Sequence, residues 1–212
     1  MVASKTAAIP NGRLSLTPLL GLILLLAGCA AGSYPTPSIE ELKLAYADEP
    51  YEVRIVNRAK FDKRFHPTIV PAPEGMPEGS ILVDTRKRFL YLIEKNGIAR
   101  RYGVAVGTSG HAWSGTAVIG RKAKWPAWYP TDDMRNETPD LPQRIEPGPH
   151  NPLGARALYL YQNGHDTLYR IHGTSEPWTI GTEASSGCIR MLNEDVIYLF
   201  DRVQNGAVVK VI

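Results

Sequence analysis

The sequence predicts a mostly β domain with one short helix near its C-terminus and a long proline-rich loop. Three observations carry this reading. Nineteen glycines and 17 prolines, with only 8% aromatic residues among 212, favour many turns over a helical bundle. Asn-Gly dipeptides at 96–97, 163–164 and 205–206 punctuate short runs of β-branched and aromatic residues. Towards the C-terminus, Val196, Leu199, Phe200 and Val203 recur at i, i+3, i+4 and i+7, the period of an amphipathic helix.

In chain order, residues 1–13 carry Lys5 and Arg13 and no acid, and Leu14 to Ala27 form an apolar run of 14 residues. Such a run is short for a bilayer span and suits a secretory signal. It ends in Leu26-Ala27-Gly28-Cys29, which resembles the lipobox of bacterial lipoproteins. The resemblance implies a signal peptide over 1–28 and a lipid on Cys29 that anchors the mature chain to a membrane. Ala30, where retention at the inner membrane would call for Asp, implies the outer membrane and the periplasmic side of the envelope. Ordinary secretion, with cleavage near Ala30 and Ala31, is the alternative.

The formal charge of +3 is largely a property of that leader. Without Lys5 and Arg13, 22 basic residues face 21 acidic ones, and no lysine-arginine block is left to track a phosphate backbone. Nucleic acid is therefore not an expected partner. If Cys29 carries lipid, Cys188 has no disulfide partner in an oxidising compartment, and a lone thiol there is a candidate nucleophile.

Residues 29–78 read as a tether and N-terminal extension, with a short helix over 39–47 capped by Ser38. Prolines 67, 71, 73 and 77 suggest that the rest of it lies extended against the domain. Strands follow at Ile81–Val83, Phe89–Ile93, Arg101–Val106, Leu158–Tyr161, Leu168–Ile171 and Val208–Ile212. Between Trp125 and Gly154 seven prolines argue against a helix or a central strand. Trp125, Trp128 and Tyr129 in that loop either line a groove or cover the sheet. Asn193 is the expected N-cap of the C-terminal helix, with Glu194 and Asp195 in its first turn.

The chemistry concentrates between Tyr169 and Asn193. His172 ends a strand, and Cys188 follows 16 residues later within Ser185-Ser186-Gly187-Cys188-Ile189-Arg190. A thiol attacks as thiolate, and a free cysteine with a pKa of about 8.5 is mostly protonated at neutral pH. A histidine in reach can take the proton and return it to a leaving amine, so a Cys188 thiolate paired with protonated His172 is expected. The Ser-Gly turn can aim backbone N–H groups at an oxyanion. Arg190 shares a face with Cys188 in an extended segment and can hold a carboxylate in its fork.

His172-Gly173-Thr174, Trp178-Thr179-Ile180-Gly181 and Ser185-x-Gly187-Cys188-Ile189-Arg190-Met191-x-Asn193 resemble the signature of the L,D-transpeptidase catalytic domain, the YkuD (ErfK/YbiS) family. The likeness covers 79–212 and implies an L,D-transpeptidase-like β-sandwich that cross-links peptidoglycan stem peptides without a cofactor or metal. Carried over, Cys188 is the nucleophile, His172 the general base and acid, and the Gly173 carbonyl the group that orients the imidazole. Gly187 and Cys188 amides form the oxyanion hole, and Arg190, Ser186 and Trp178 lie on the substrate side. Ser186 departs from the histidine that many members carry there.

The acyl-enzyme could equally pass to water, as in an L,D-carboxypeptidase, or to a protein amine. A non-catalytic wall-binding lipoprotein is the class-level rival, and a monomer is expected in each case. A serine D,D-transpeptidase would need Ser-x-x-Lys and Lys-Thr-Gly; Lys5-Thr6-Ala7 fails the second, and no serine meets the first. The histidines at 66, 111, 150, 165 and 172 form no His-Glu-x-x-His.

Overall fold

The computed structural model describes Met1, residues 38–108 and residues 113–212. Cys29 and the apolar run before it, and His111, lie outside the described residues. No helix among the described residues is long and apolar enough to cross a membrane.

The chain opens with α1 (Ile39–Ala45), whose start is a capping box: Glu41 N–H donates to Ser38 Oγ, and the Glu41 carboxylate accepts from Ser38 N–H. Then come β1 (Thr68–Pro71), β2 (Ile81–Asp84), β3 (Phe89–Ile93), β4 (Ile98–Gly103), β5 (Val106–Gly107) and β6 (Gly115–Lys124). After α2 (Asp132–Glu137) the chain continues with β7 (Arg156–Gln162), β8 (His165–His172), β9 (Glu183–Ser185) and β10 (Ile189–Arg190). It closes with α3 (Asn193–Arg202) and β11 (Val208–Val211).

Nine strands form one sheet in the order β1-β4-β3-β2-β11-β6-β7-β8-β10, and β5 with β9 form a small second sheet. The fold is mostly β, as the sequence predicts. One apolar core draws on both halves of the long sheet: Ile81, Leu90 and Tyr102 from one, Leu158, Leu160 and Ile171 from the other, with Val196, Leu199 and Phe200 of α3. Asn96-Gly97 and Asn163-Gly164 turn the hairpins β3–β4 and β7–β8 with positive φ at both residues, 62° and 69°, then 52° and 80°. That is the backbone an Asn-Gly hairpin turn requires.

The structure adds the short strands β1, β5, β9 and β10 to the sequence reading, replaces the expected strand 101–106 by β4 and β5, and differs further at β6, α2 and α3. The ten-residue strand β6 lies mid-sheet between β11 and β7; Gly120 and two lysines blur its alternation. Its register with β7 shifts between Ile119 and Arg121, and a side chain at Gly120 would overlap the Tyr161 ring. The short helix α2 occupies the proline-free interval between Pro130 and Pro139, with Thr131 Oγ1 accepting from Met134 N–H. In α3, Leu192 is the N-cap and Asn193 the first helical residue, because the Asn193 side chain bonds elsewhere.

The extension before β1 is joined to the domain by buried charge. Arg156 on β7 is 1% exposed, and its guanidinium forks onto the Glu49 carboxylate, which also accepts from Trp125 Nε1 at 2.7 Å. Arg58 forks onto Asp195 at 3.1 and 2.6 Å, and Val56 N–H donates to the Glu194 carboxylate at 3.1 Å. Phe65 fills the space left by Gly103 and Gly181, where any side chain would overlap it. Removing one partner of a buried pair strands the other charge. Glu49→Ala is expected to destabilise the protein by about 3 kcal/mol in denaturant titration, the low end for a buried pair because Glu49 keeps some water contact. A loss under ~0.5 kcal/mol, the range of an exposed pair, would contradict this assignment.

Candidate active site

Two strand ends and a turn build the site. The β8 strand delivers His172 and β10 delivers Arg190, and the parallel register pairs Arg190 with His172 and Ile189 with Ile171. Paired residues on adjacent strands project to one face. Arg190 is further fixed by exchanging two backbone hydrogen bonds with Ala105, both 2.9 Å. Met191 N–H donates to the His172 carbonyl at 2.8 Å.

The turn that carries Cys188 depends on Ser185 and Gly187. Ser185 Oγ donates to the Cys188 carbonyl at 2.5 Å and accepts from Gly187 N–H at 3.2 Å. Gly187 has φ of +118°, which disfavours any residue with a side chain. Cys188 Sγ lies 3.9 Å from the Leu168 carbonyl, whose residue takes φ of +64° within β8.

His172 is 4% exposed, and its Nδ1 lies 2.6 Å from the Gly173 carbonyl. A carbonyl only accepts, so Nδ1 carries the proton and Nε2 is left as the base. Asn193 holds the turn beyond. Its Oδ1 accepts from Ala155 N–H at 3.0 Å and Thr174 N–H at 3.3 Å, and its Nδ2 donates to the Thr174 carbonyl at 3.0 Å. A Cβ on Gly154 or Gly173 would overlap Asn193 Oδ1.

His172, Ser186, Cys188 and Arg190 line one cavity of about 370 Å³, with Glu176, Trp128 and Leu153. A second cavity of about 430 Å³ is lined by Arg121, Tyr129, Tyr159 and Arg170. Cys188, Trp128, Met134 and Leu153 line both, so the thiol stands where the two meet. Tyr159 lies between two cations, with Arg121 3.6 Å and Arg170 4.4 Å from its ring centre.

Burial dominates the electrostatics. It pushes the His172 imidazole down to about 3, with the Arg190 charge adding to the effect against the Gly173 hydrogen bond. It also pushes the Cys188 thiol up, against the opposing pull of the Arg170 backbone and the Arg170 and Arg190 charges. Desolvation penalises the charged form of each group, a direction opposed to the expected thiolate-imidazolium pair.

The sequence-predicted residues His172, Cys188, Arg190 and Ser186 share the cavity. Trp178 does not join them: it sits on the 3-10 turn Pro177–Thr179, 70% exposed, and Trp128 takes the aromatic place in the cavity. Trp125 belongs to the core, 5% exposed among Val53, Ala155 and Ile197. The Gly187 amide expected in the oxyanion hole is engaged by Ser185 Oγ, whereas Cys188 N–H has no intramolecular acceptor among the described residues. Glu176, which no motif singled out, accepts from Arg190 Nη1 at 2.8 Å. Among the described residues, no three His, Cys, Asp or Glu side chains group so as to hold a metal.

Comparison with known proteins gives the site its context. The model of the L,D-transpeptidase catalytic domain, YkuD, matches residues 78–211. The chain belongs to the YkuD family. The probable L,D-transpeptidases ErfK/SrfK and YbiS of Escherichia coli K12 are each 32% identical to it over 148 residues, 66% of this chain and 46% of theirs. The chain thus spans less than half the length of these curated relatives. A solved structure from Brucella melitensis, described as a probable carnitine operon oxidoreductase, is 48% identical, covering 70% of this chain and 94% of that one, with a TM-score of 0.49. The YkuD match takes in β2 through β11 and every residue of both cavities.

The buried imidazole predicts an acid-labile fold. Its folded pKa lies below the unfolded value near 6.5, so the unfolded chain binds the extra proton first. The stabilisation is complete above pH 6.5 and is lost as pH falls towards 3, by up to about 1 kcal/mol per unit. His172→Gln should flatten that part of the stability profile. An unchanged slope between pH 6.5 and 4 in the variant would show that another group governs it.

Proposed function

We propose that this chain is a peptidoglycan L,D-transpeptidase that joins stem peptides through a thioester on Cys188, exported and held at the envelope by a lipid on Cys29. The observation that supports this reading best is the position of the thiol at the meeting of two cavities. An acyl transferase must offer one sulfur to a donor and then to an acceptor. Hydrolysis alone would make no use of a second cavity at the thiol.

The proposed reaction starts from the neutral pair. As Sγ attacks the carbonyl at the L-centre of the donor, the thiol proton passes to His172 Nε2. The Gly173 carbonyl steadies the imidazolium by holding Nδ1–H. The oxyanion draws first on the free Cys188 amide, then on the Gly187 amide as it gives up its long bond to Ser185 Oγ. Collapse breaks the C–N bond, and the proton on Nε2 leaves with the departing D-amino acid. The acceptor amine then attacks the thioester, passing a proton to Nε2, and the thiol is restored as the new amide forms.

Incubating the full chain with a tetrapeptide muropeptide should give a thioester mass on wild-type protein and a cross-linked dimer in solution. Cys188→Ala should give neither, and His172→Ala should lower the rate by roughly 10²–10⁴-fold. A product lost only to water would mark an L,D-carboxypeptidase. Peptide retention without any thioester or turnover would mark a binding protein and refute the proposal.

A further inference from the structure

The strand that delivers His172 is irregular just before it arrives. In the β7–β8 hairpin, Tyr159 pairs with Arg170 and Tyr161 with Asp166, so Thr167, Leu168 and Tyr169 stand opposite Leu160 alone. The surplus on β8 is a bulge, a device that re-aims groups beside active sites. Its middle residue, Leu168, takes φ of +64°, a left-handed conformation that a leucine keeps only where its surroundings enforce it.

The enforcement comes from within the bulge. Asp166 Oδ1 accepts from Leu168 N–H at 2.9 Å, and the same carboxylate takes both arms of the Arg170 guanidinium at 2.6 and 2.9 Å. Thr167 Oγ1 donates to the Leu160 carbonyl at 2.7 Å and accepts from Tyr169 N–H at 3.2 Å. Packing of the Leu168 side chain does not explain the strain, because that residue is 65% exposed. What the bulge places is the Leu168 carbonyl, which accepts from Cys188 Sγ at 3.9 Å. Among the described residues no hydrogen bond joins Sγ to His172.

Resting on the acyl-transfer reading above, we propose that the bulge is a latch on the nucleophile. Its Leu168 carbonyl holds the Cys188 S–H turned away from His172 Nε2, and Asp166 is the positioning residue that sets this carbonyl. Attack requires rotation of the Cys188 side chain, which carries Sγ from the carbonyl to the base. A hydrogen bond given by S–H also favours the thiol over the thiolate.

The test reads Cys188 itself, by alkylation of the full chain with iodoacetamide from pH 6 to pH 10, scored on the Cys188 peptide by mass spectrometry. The charges that face the sulfur are Arg170 and Asp166 of β8 and Arg190 of β10. Leu168→Ile removes none of them and adds the β-branch that the left-handed conformation disfavours. It should lower the midpoint of the profile and raise the rate below it roughly twofold to fivefold, the size of a weak hydrogen bond. Asp166→Ala, which unclamps the bulge, should shift the profile in the same direction. Leu168→Asn, tolerant of the left-handed conformation, should shift it far less. Profiles of Leu168→Ile and Asp166→Ala that match wild type, or an equal shift in Leu168→Asn, would overturn the latch. Should a tetrapeptide muropeptide acylate none of the four proteins while the profiles shift as expected, the latch would stand and acyl transfer would fall.

Discussion

The carboxamide of Asn193 is the constraint on which the site depends. Three hydrogen bonds from one buried side chain tie the loop at 154–155, the turn at 173–174 and the start of α3. Their convergence leaves no room for a side chain at Gly154 or Gly173. It also sets the direction of the Gly173 carbonyl, and with it the tautomer of His172. Replacing Asn193 by an apolar residue would leave two buried N–H groups and a carbonyl without partners, and unmet buried polar groups are costly. The extension reinforces the same corner of the fold: Arg58 and Val56 seize the two carboxylates that follow Asn193 at the helix start.

That enclosure explains the resting charge state. A site packed this tightly around His172 cannot hold an imidazolium cheaply, and the neighbouring Arg190 charge opposes it further. The same burial favours the protonated thiol of Cys188. A protonated thiol is the less nucleophilic and less oxidisable form. In the proposed reaction, reactivity is coupled to the arrival of the donor, and His172 serves as a base during attack, not as the partner of a standing thiolate.

Much of this is legible in the sequence. The Asn-Gly hairpins, the flanking strands, the C-terminal helix and the segments that bring His172 and Cys188 to one cavity follow from local pattern and side-chain chemistry. What was hidden depends on contacts between residues far apart in sequence. The strand β6 has a glycine and lysines where alternation would be read, because its partners β11 and β7 impose the strand from both sides. Pro71 closes β1 at the rim of the sheet, where a missing N–H costs least. The resemblance favours Trp178, and only the path of the loops puts Trp128 in the cavity instead. Asn193 looks like a helix cap until the neighbouring loops claim its carboxamide, and Glu176 acquires meaning only from Arg190 across the turn.

The proposed reaction starts from a neutral His172 that holds its proton on Nδ1 beside a protonated Cys188. Nitrogen-15 NMR of the imidazole, recorded on the full chain from pH 8 to pH 4, tests this most directly, with Cys188→Ala as the reference. One neutral Nδ1–H tautomer is expected throughout that range, with the same pattern in the variant. An imidazolium signal at neutral pH that disappears in Cys188→Ala would instead establish a standing thiolate-imidazolium pair and contradict it.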